Sequence, residues 1–275
     1  MMKYFLKRTL VCALLLGLIV LPSPPGAQVK PPAAEPGTRF YFVQITDTHL
    51  GERDHLERTR RLVDQINRLP YEIACVVHTG DIFADNILDA SVRAAGFGVL
   101  RRLQAPLHLL PGNHDILQKD LERTAAAYTQ HVGPLIHPAE HHGVVFVLAY
   151  TEPLALGFAV KGYDPLRELE SALARAAGKP MILFTHRPAV DDYPEFVLAP
   201  AWGAPARAGL ESLLAAYDVK AVITGHFHRD ELHWVGGRPV FAAPPVAGYW
   251  GRQAGFRLYE YRDGQLSYRT VHLSE

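Results

Sequence analysis

Cysteine is nearly absent from this chain of 275 residues, which carries only Cys12 and Cys75. A small scaffold held by disulfides is thereby excluded. An excess of either charge is also missing, since 28 Lys and Arg stand against 28 Asp and Glu. That balance argues against a nucleic-acid-binding surface or a polybasic membrane patch. The uncharged apolar run at residues 9–21 (TLVCALLLGLIVL) is too short for a comfortable membrane span. With 48% apolar and 20% charged residues, the composition is that of a folded globular body and excludes disorder as the dominant state.

What the amino terminus does contain is Lys3, Lys7 and Arg8 ahead of that run, the order of a secretory signal peptide. Residues 1–27 are read as this signal, with Gly26 and Ala27 as the small residues at its cleavage site, and an uncleaved anchor as the alternative. Export to the periplasm or beyond is expected, with no other membrane association. Val11 before Cys12 departs from a lipidation site, which wants a small residue there. Residues 22–36 hold six prolines, so 28–38 is expected to be an extended Pro-rich linker and 39–275 a single folded domain. Removal of the signal leaves Cys75 without a partner, and its place in IACVV suits a buried small hydrophobe.

Within the body, apolar β-rich runs occur at 39–45, 73–79, 106–110, 144–150, 181–185 and 219–224. Several are apolar at every position, as in strands covered on both faces. Helical spacing fills the intervals 54–69, 88–103, 117–130, 166–177 and 207–216, which predicts α/β layering. Near the carboxyl terminus, Gly236-Gly237 and Asp263-Gly264 mark hairpins that add antiparallel strands.

Polar residues follow these strands in a set pattern. Asp47 and His49 come after the first, Asp81 after the second, and Gly112-Asn113-His114-Asp115 after the third. His186 follows the fifth, and His226 and His228 the sixth. Each alone fits an ordinary turn, a helix cap or a stray histidine. Together, two carboxylates, one amide and four imidazoles at strand ends form a donor set suited to transition-metal ions. Loops at the carboxyl ends of strands form the ligand crevice of layered α/β proteins, so these five can converge.

The motifs D-x-H, G-D, G-N-H-D, H and G-H-x-H, spanning residues 47–228 in that order, resemble the calcineurin-like metallophosphoesterases. The resemblance implies a four-layer α-β-β-α sandwich and a dinuclear centre of Mn, Fe or Zn ions. Asp47, His49 and His228 would hold one ion, Asn113, His186 and His226 the other, and Asp81 would bridge. It further implies hydrolysis of a small phosphoester by a metal-bound hydroxide. His114 would stabilise or protonate the leaving oxygen, and Asp115 is expected to orient it. Ala84 stands where purple acid phosphatases carry a Tyr, which disfavours that branch. The stretch Gln44–Leu50, Asp85 and the Ile66-Asn67 pair resemble the class III cyclic-nucleotide phosphodiesterases. A phosphodiesterase is therefore the favoured expectation, with a phosphomonoesterase or a non-catalytic binding module on the same fold as alternatives.

Other residues near the motifs are Arg53, His55, Arg187 and Arg229, which could meet substrate phosphate. Tyr249 and Trp250 could stack on a base, although core packing is their expected role. His78 and His108 fall inside apolar strand runs and are read as core residues. His131, His137, His141, His142, His233 and His272 match no motif and are read as surface or packing residues.

Overall fold

The computed structural model describes residues 37–190 and 202–273. The expected export signal and most of the expected linker lie outside the described residues. Strand β1 (Arg39–Ile45) leads through α1 (His55–Ile66) to β2 (Ile73–His78), then through α2 (Ala90–Leu100) to β3 (Leu107–Leu109). After α3 (Leu121–His131) come β4 (Ile136–His141), β5 (Val144–Ala149), α4 (Glu152–Leu156), α5 (Pro165–Arg175) and β6 (Met181–Phe184). They are followed by α6 (Ala204–Ala216), β7 (Val219–Thr224), β8 (Glu231–Val235), β9 (Arg238–Ala242), β10 (Gly255–Arg262) and β11 (Gln265–His272). One sheet has the order β11-β10-β1-β2-β3 and the other β4-β5-β6-β7-β9-β8. All of these elements belong to one compact unit.

The continuously apolar strands are the reason for two sheets. Alternate residues of each strand point to opposite faces. In β1, Phe40 and Phe42 enter the layer between the sheets, where they join Phe146, Phe184 and Tyr259. Val43 and Ile45 of the same strand pack outward against Leu62 and Ile66 of α1. On the far side, Val145 and Val147 of β5 meet Leu169 and Leu173 of α5 and Leu210 of α6. Four layers, α-β-β-α, result, as expected from the sequence. Full burial of one such large side chain contributes about 2 kcal/mol, so the three apolar clusters dominate the stability.

Both hairpins form at the expected glycines, but they feed different sheets: β8 and β9 extend the second, while β10 pairs antiparallel with β1 in the first. Strand β4 has no counterpart in the sequence reading. Its sequence, IHPAEH, is polar and contains Pro138, which is tolerated because β4 is an edge strand. Strands β1, β2 and β3 run parallel, as do β5, β6, β7 and β9. Parallel order brings the carboxyl ends of each set to one rim.

Candidate active site

The loops after β1, β2, β3, β6 and β7 meet at that rim. Backbone bonds join the first two, from Asp47 N–H to the Gly80 carbonyl (3.0 Å) and from His49 N–H to that of Asp81 (3.0 Å). The last two are joined from Gly225 N–H to the His186 carbonyl at 2.9 Å. Asp47, His49, Asp81, His226 and His228 all have positive φ, between 42° and 69°. The left-handed conformation costs an L-residue roughly 1–2 kcal/mol, and such outliers gather at functional sites. Here it turns each ligand back over the rim directly after its strand.

The glycines of the motifs make room for carboxylates. A Cβ on Gly112 would stand 2.1 Å from Asp81 Oδ1, and one on Gly225 would stand 2.0 Å from Thr46 Oγ1 and 2.6 Å from Asp47 Oδ2. Below the rim, Gln44 Nε2 donates to Thr79 Oγ1 (2.9 Å) and to the Thr224 carbonyl (2.8 Å), tying β1 to the end of β7. Its Oε1 accepts from the Tyr259 hydroxyl at 3.0 Å. Buried His78 donates through Nε2 to Thr48 Oγ1 (2.9 Å) and is kept neutral by burial, which pulls its pKa to about 3. It supports the first loop from beneath.

Each carboxylate has one oxygen engaged by protein and the other facing the ring nitrogens. Asp47 Oδ2 accepts from Thr46 Oγ1 (2.6 Å) and His226 N–H (3.1 Å), while Oδ1 meets His228 Nε2 at 3.1 Å. Asp81 Oδ1 accepts from His114 N–H (2.9 Å), while Oδ2 lies 3.1 Å from His186 Nε2 and 3.7 Å from His49 Nε2. Asp47, His49 and His228 thus form one group, and Asp81, His186 and His226 another, each compact enough to hold an ion. Asp81 also reaches His49 of the first group. His186 Nδ1 donates to the Thr79 carbonyl (2.8 Å), which fixes the ring and directs Nε2 at the site.

The donors fit a pair of cations on grounds other than their names. Asn113 Oδ1 is buried without a hydrogen-bond partner, as is one ring nitrogen each of His226 and His228. Ring nitrogens also crowd one another, His49 Nε2 to His228 Nε2 at 3.3 Å and His226 Nδ1 to His186 Nε2 at 3.2 Å. Burial pushes the Asp47 carboxyl up, but His228 and His186 outweigh it and hold Asp47 well below the usual carboxylate range. Asp81 is likewise held down against burial, chiefly by His186. Against its own burial, His186 is pushed up to about 10 by Asp81 and Asp47, whereas burial draws His49 down to about 4. Two carboxylates held ionised in a dehydrated centre call for cations. For His186 to ligate, its Nε2 proton must leave.

His49, Asp81, Asn113, His226 and His228 line a cavity of about 440 Å³, together with His114, Arg187, Tyr249 and Trp250. Asp115 does not orient His114. Its carboxylate accepts from the N–H groups of Ile82 (3.1 Å), Phe83 (2.9 Å) and Gly112 (2.9 Å), binding the second loop to the third. The side chain that meets His114 is Asp85, with Oδ1 2.7 Å from Nδ1. Burial lowers the His114 pKa, but Asp81 and Asp85 outweigh it and raise it.

Arg187 is buried and ion-paired through Nε and Nη2 to buried Glu152, both at 2.9 Å, while Nη1 has no partner. His55 lies outside the cavity lining, where it donates to the His49 carbonyl (2.9 Å) and accepts from Gly248 N–H (3.2 Å). Arg53 stacks over Tyr249 at 4.8 Å, and Arg229 pairs with Glu231. Trp250 is not a core residue: it is 67% exposed, at the cavity mouth. Sequence reasoning missed the roles of Gln44 and Glu152. Their types are ordinary, and only their burial reveals them.

Fold and site together define a metal-dependent phosphoester hydrolase. The calcineurin-like phosphoesterase family model matches residues 40–230, and the chain belongs to that family. No curated protein matches the sequence. Among solved structures, a dimetal phosphatase from Danio rerio is similar at 14% identity and a TM-score of 0.59, over 86% of this chain and 99% of that one. The Plasmodium protein GAP50, described as the anchor in the inner membrane complex, gives 13% and 0.61, over 86% and 85%. Purple acid phosphatase PPD1 from yellow lupin gives 18% and 0.58, over 86% and 52%. At such identities the fold is what is shared, and no one branch of the family is singled out.

Proposed function

We propose that this chain is an exported phosphodiesterase that binds a small diester in the 440 Å³ cavity and releases an alcohol. The observation that carries the reading is His114, which lines the cavity beside both ligand groups with Asp85 behind it. Asp47, His49 and His228 would hold one cation, and Asn113, His186 and His226 the other, with Asp81 between them. When bound, two such cations supply charge neutralisation at phosphorus and a lowered water pKa.

The protein's own part is positioning and proton transfer. Asp85 accepts from His114 Nδ1–H, which leaves Nε2 as the atom that passes a proton to the leaving oxygen. Arg187, fixed by Glu152 with its buried Nη1 unpartnered, is the lining residue suited to attract a phosphoryl oxygen. A diester suits the walls better than a monoester. Arg187 is the one Arg or Lys among the described lining residues, Glu52 adds negative charge, and Trp250 offers an apolar ring to a second ester group. The monoester would bring an additional negative charge and no such group.

The test compares bis(p-nitrophenyl) phosphate with p-nitrophenyl phosphate after loading with Mn, Zn or Fe. Faster turnover of the diester supports the proposal, and preference for the monoester overturns it. Cyclic nucleotides, as natural diesters, extend the comparison to the substrate class suggested by residues Gln44–Leu50.

A further inference from the structure

A second group of side chains with metal-ligating atoms lies away from the candidate active site, at the edge strands β3 and β4. Cys75 is in the amino-terminal half of β2, His108 is the middle residue of β3, and His141 ends β4. One ligand atom from each falls within 4.8 Å of the other two. His108 Nε2 and His141 Nε2 are 2.9 Å apart, and His108 Nδ1 is 3.1 Å from His137 Nε2. Strands β3 and β4 are edge strands of different sheets, so the group spans the seam between them. Sequence reasoning gave these four residues to packing and surface, since no motif links them.

The geometry points to a structural site for one thiophilic ion, Zn(II) or Cu(I), held by Cys75 Sγ, His108 Nε2 and His141 Nε2, with His137 as the positioning residue. Each part has the chemistry the role requires. A ligating histidine commonly donates its other ring N–H to an acceptor that fixes the ring. His137 Nε2 is placed to accept from His108 Nδ1–H, leaving His108 Nε2 as a lone-pair donor. Burial, with His141 and His137 adding to it, draws His108 down to about 4, so the ring is neutral at physiological pH. Burial also keeps the Cys75 thiol protonated. On binding, the thiol proton goes to solvent and a sulfur–metal bond replaces the S–H bond.

One thiolate with two imidazoles matches Zn(II) or Cu(I), and not Mg or Ca, which prefer oxygen. His108 and His141 are part-exposed, which gives an ion an entry path. The gain is a clip at a weak place, because β3 has three residues and none is fully buried. An ion there would join the first sheet to the second at a point the catalytic ligands do not reach.

Cobalt(II) titration of the full chain tests this directly. The catalytic donors are all nitrogen and oxygen, so a near-ultraviolet thiolate-to-cobalt charge-transfer band reports Cys75 or Cys12 alone. The expected result is a band that persists in Cys12→Ser and Asp81→Ala and vanishes in Cys75→Ser. It should weaken in His141→Ala, and His137→Ala should lower affinity about 10- to 100-fold, the usual effect of losing such a support. Competition between Zn(II) and Cu(I) for the cobalt-loaded site identifies the ion. Absence of a band in the unaltered chain, or a band indifferent to both His108→Ala and His141→Ala, overturns the proposal. Since the band is read first in the unaltered protein, misfolding of a variant cannot decide the outcome.

Discussion

His114 and Asp81 sit next to each other in space, yet their replacement should fail in different ways. His114→Ala should keep its metal content and lose about a hundredfold in kcat on a diester, the usual scale for a lost general acid. The loss should grow when an alkyl alcohol replaces nitrophenol as leaving group, because the poorer leaving group depends more on the proton. Asp81→Ala should instead come off purification with most of its metal gone, as elemental analysis would record. The neighbouring carboxylates divide likewise. Asp115→Ala strands three buried N–H groups and should cost at least about 3 kcal/mol in denaturant unfolding. Asp85→Asn leaves the fold intact and should lower kcat with alkyl leaving groups. The convergence of the seven candidate donors was legible because their types are rare together and each follows a strand. Choosing Asp85 over Asp115 was not, since chain adjacency favours the residue beside His114, and only the turn shows that Asp115 points back into the loops.

At the scale of the elements, the loops do what strands and helices cannot. Five candidate ligands in left-handed conformation and glycines with no room for a methyl group make each turn specific to its side chains. Gly225→Ala would drive a Cβ against Thr46 and Asp47, both buried and bonded, and should destabilise by about 1–3 kcal/mol as overpacking does. Thermal unfolding would register this, with weaker metal retention alongside, because Asp47 must shift. The main strands and helices could be read from apolar runs and helical spacing, with ends within a few residues. Strand β4 could not, as its stability comes from pairing along β5 and not from its own polar sequence. Short α4 offers too few residues for a period to show.

For the whole molecule, metal removal is the relevant perturbation. Chelation should return Asp47 and Asp81 to mutual repulsion in a buried centre and lower the melting temperature by about 10 °C. That figure corresponds to about 4 kcal/mol, the linkage from a ligand present at a thousandfold its Kd. Readdition of the metal should restore it. Layering was legible at this scale, because strands apolar at every position need cover on both faces. The order of strands was not, since nothing in Gly255–Arg262 announces that it returns to β1 and not to its predecessor β9.

His228 and Asp47 are 181 residues apart in the chain and touch in the finished protein. No shorter stretch from the amino end can assemble the catalytic donors. During synthesis, the early aspartates meet their full set of histidine neighbours only after the late strands have emerged from the ribosome.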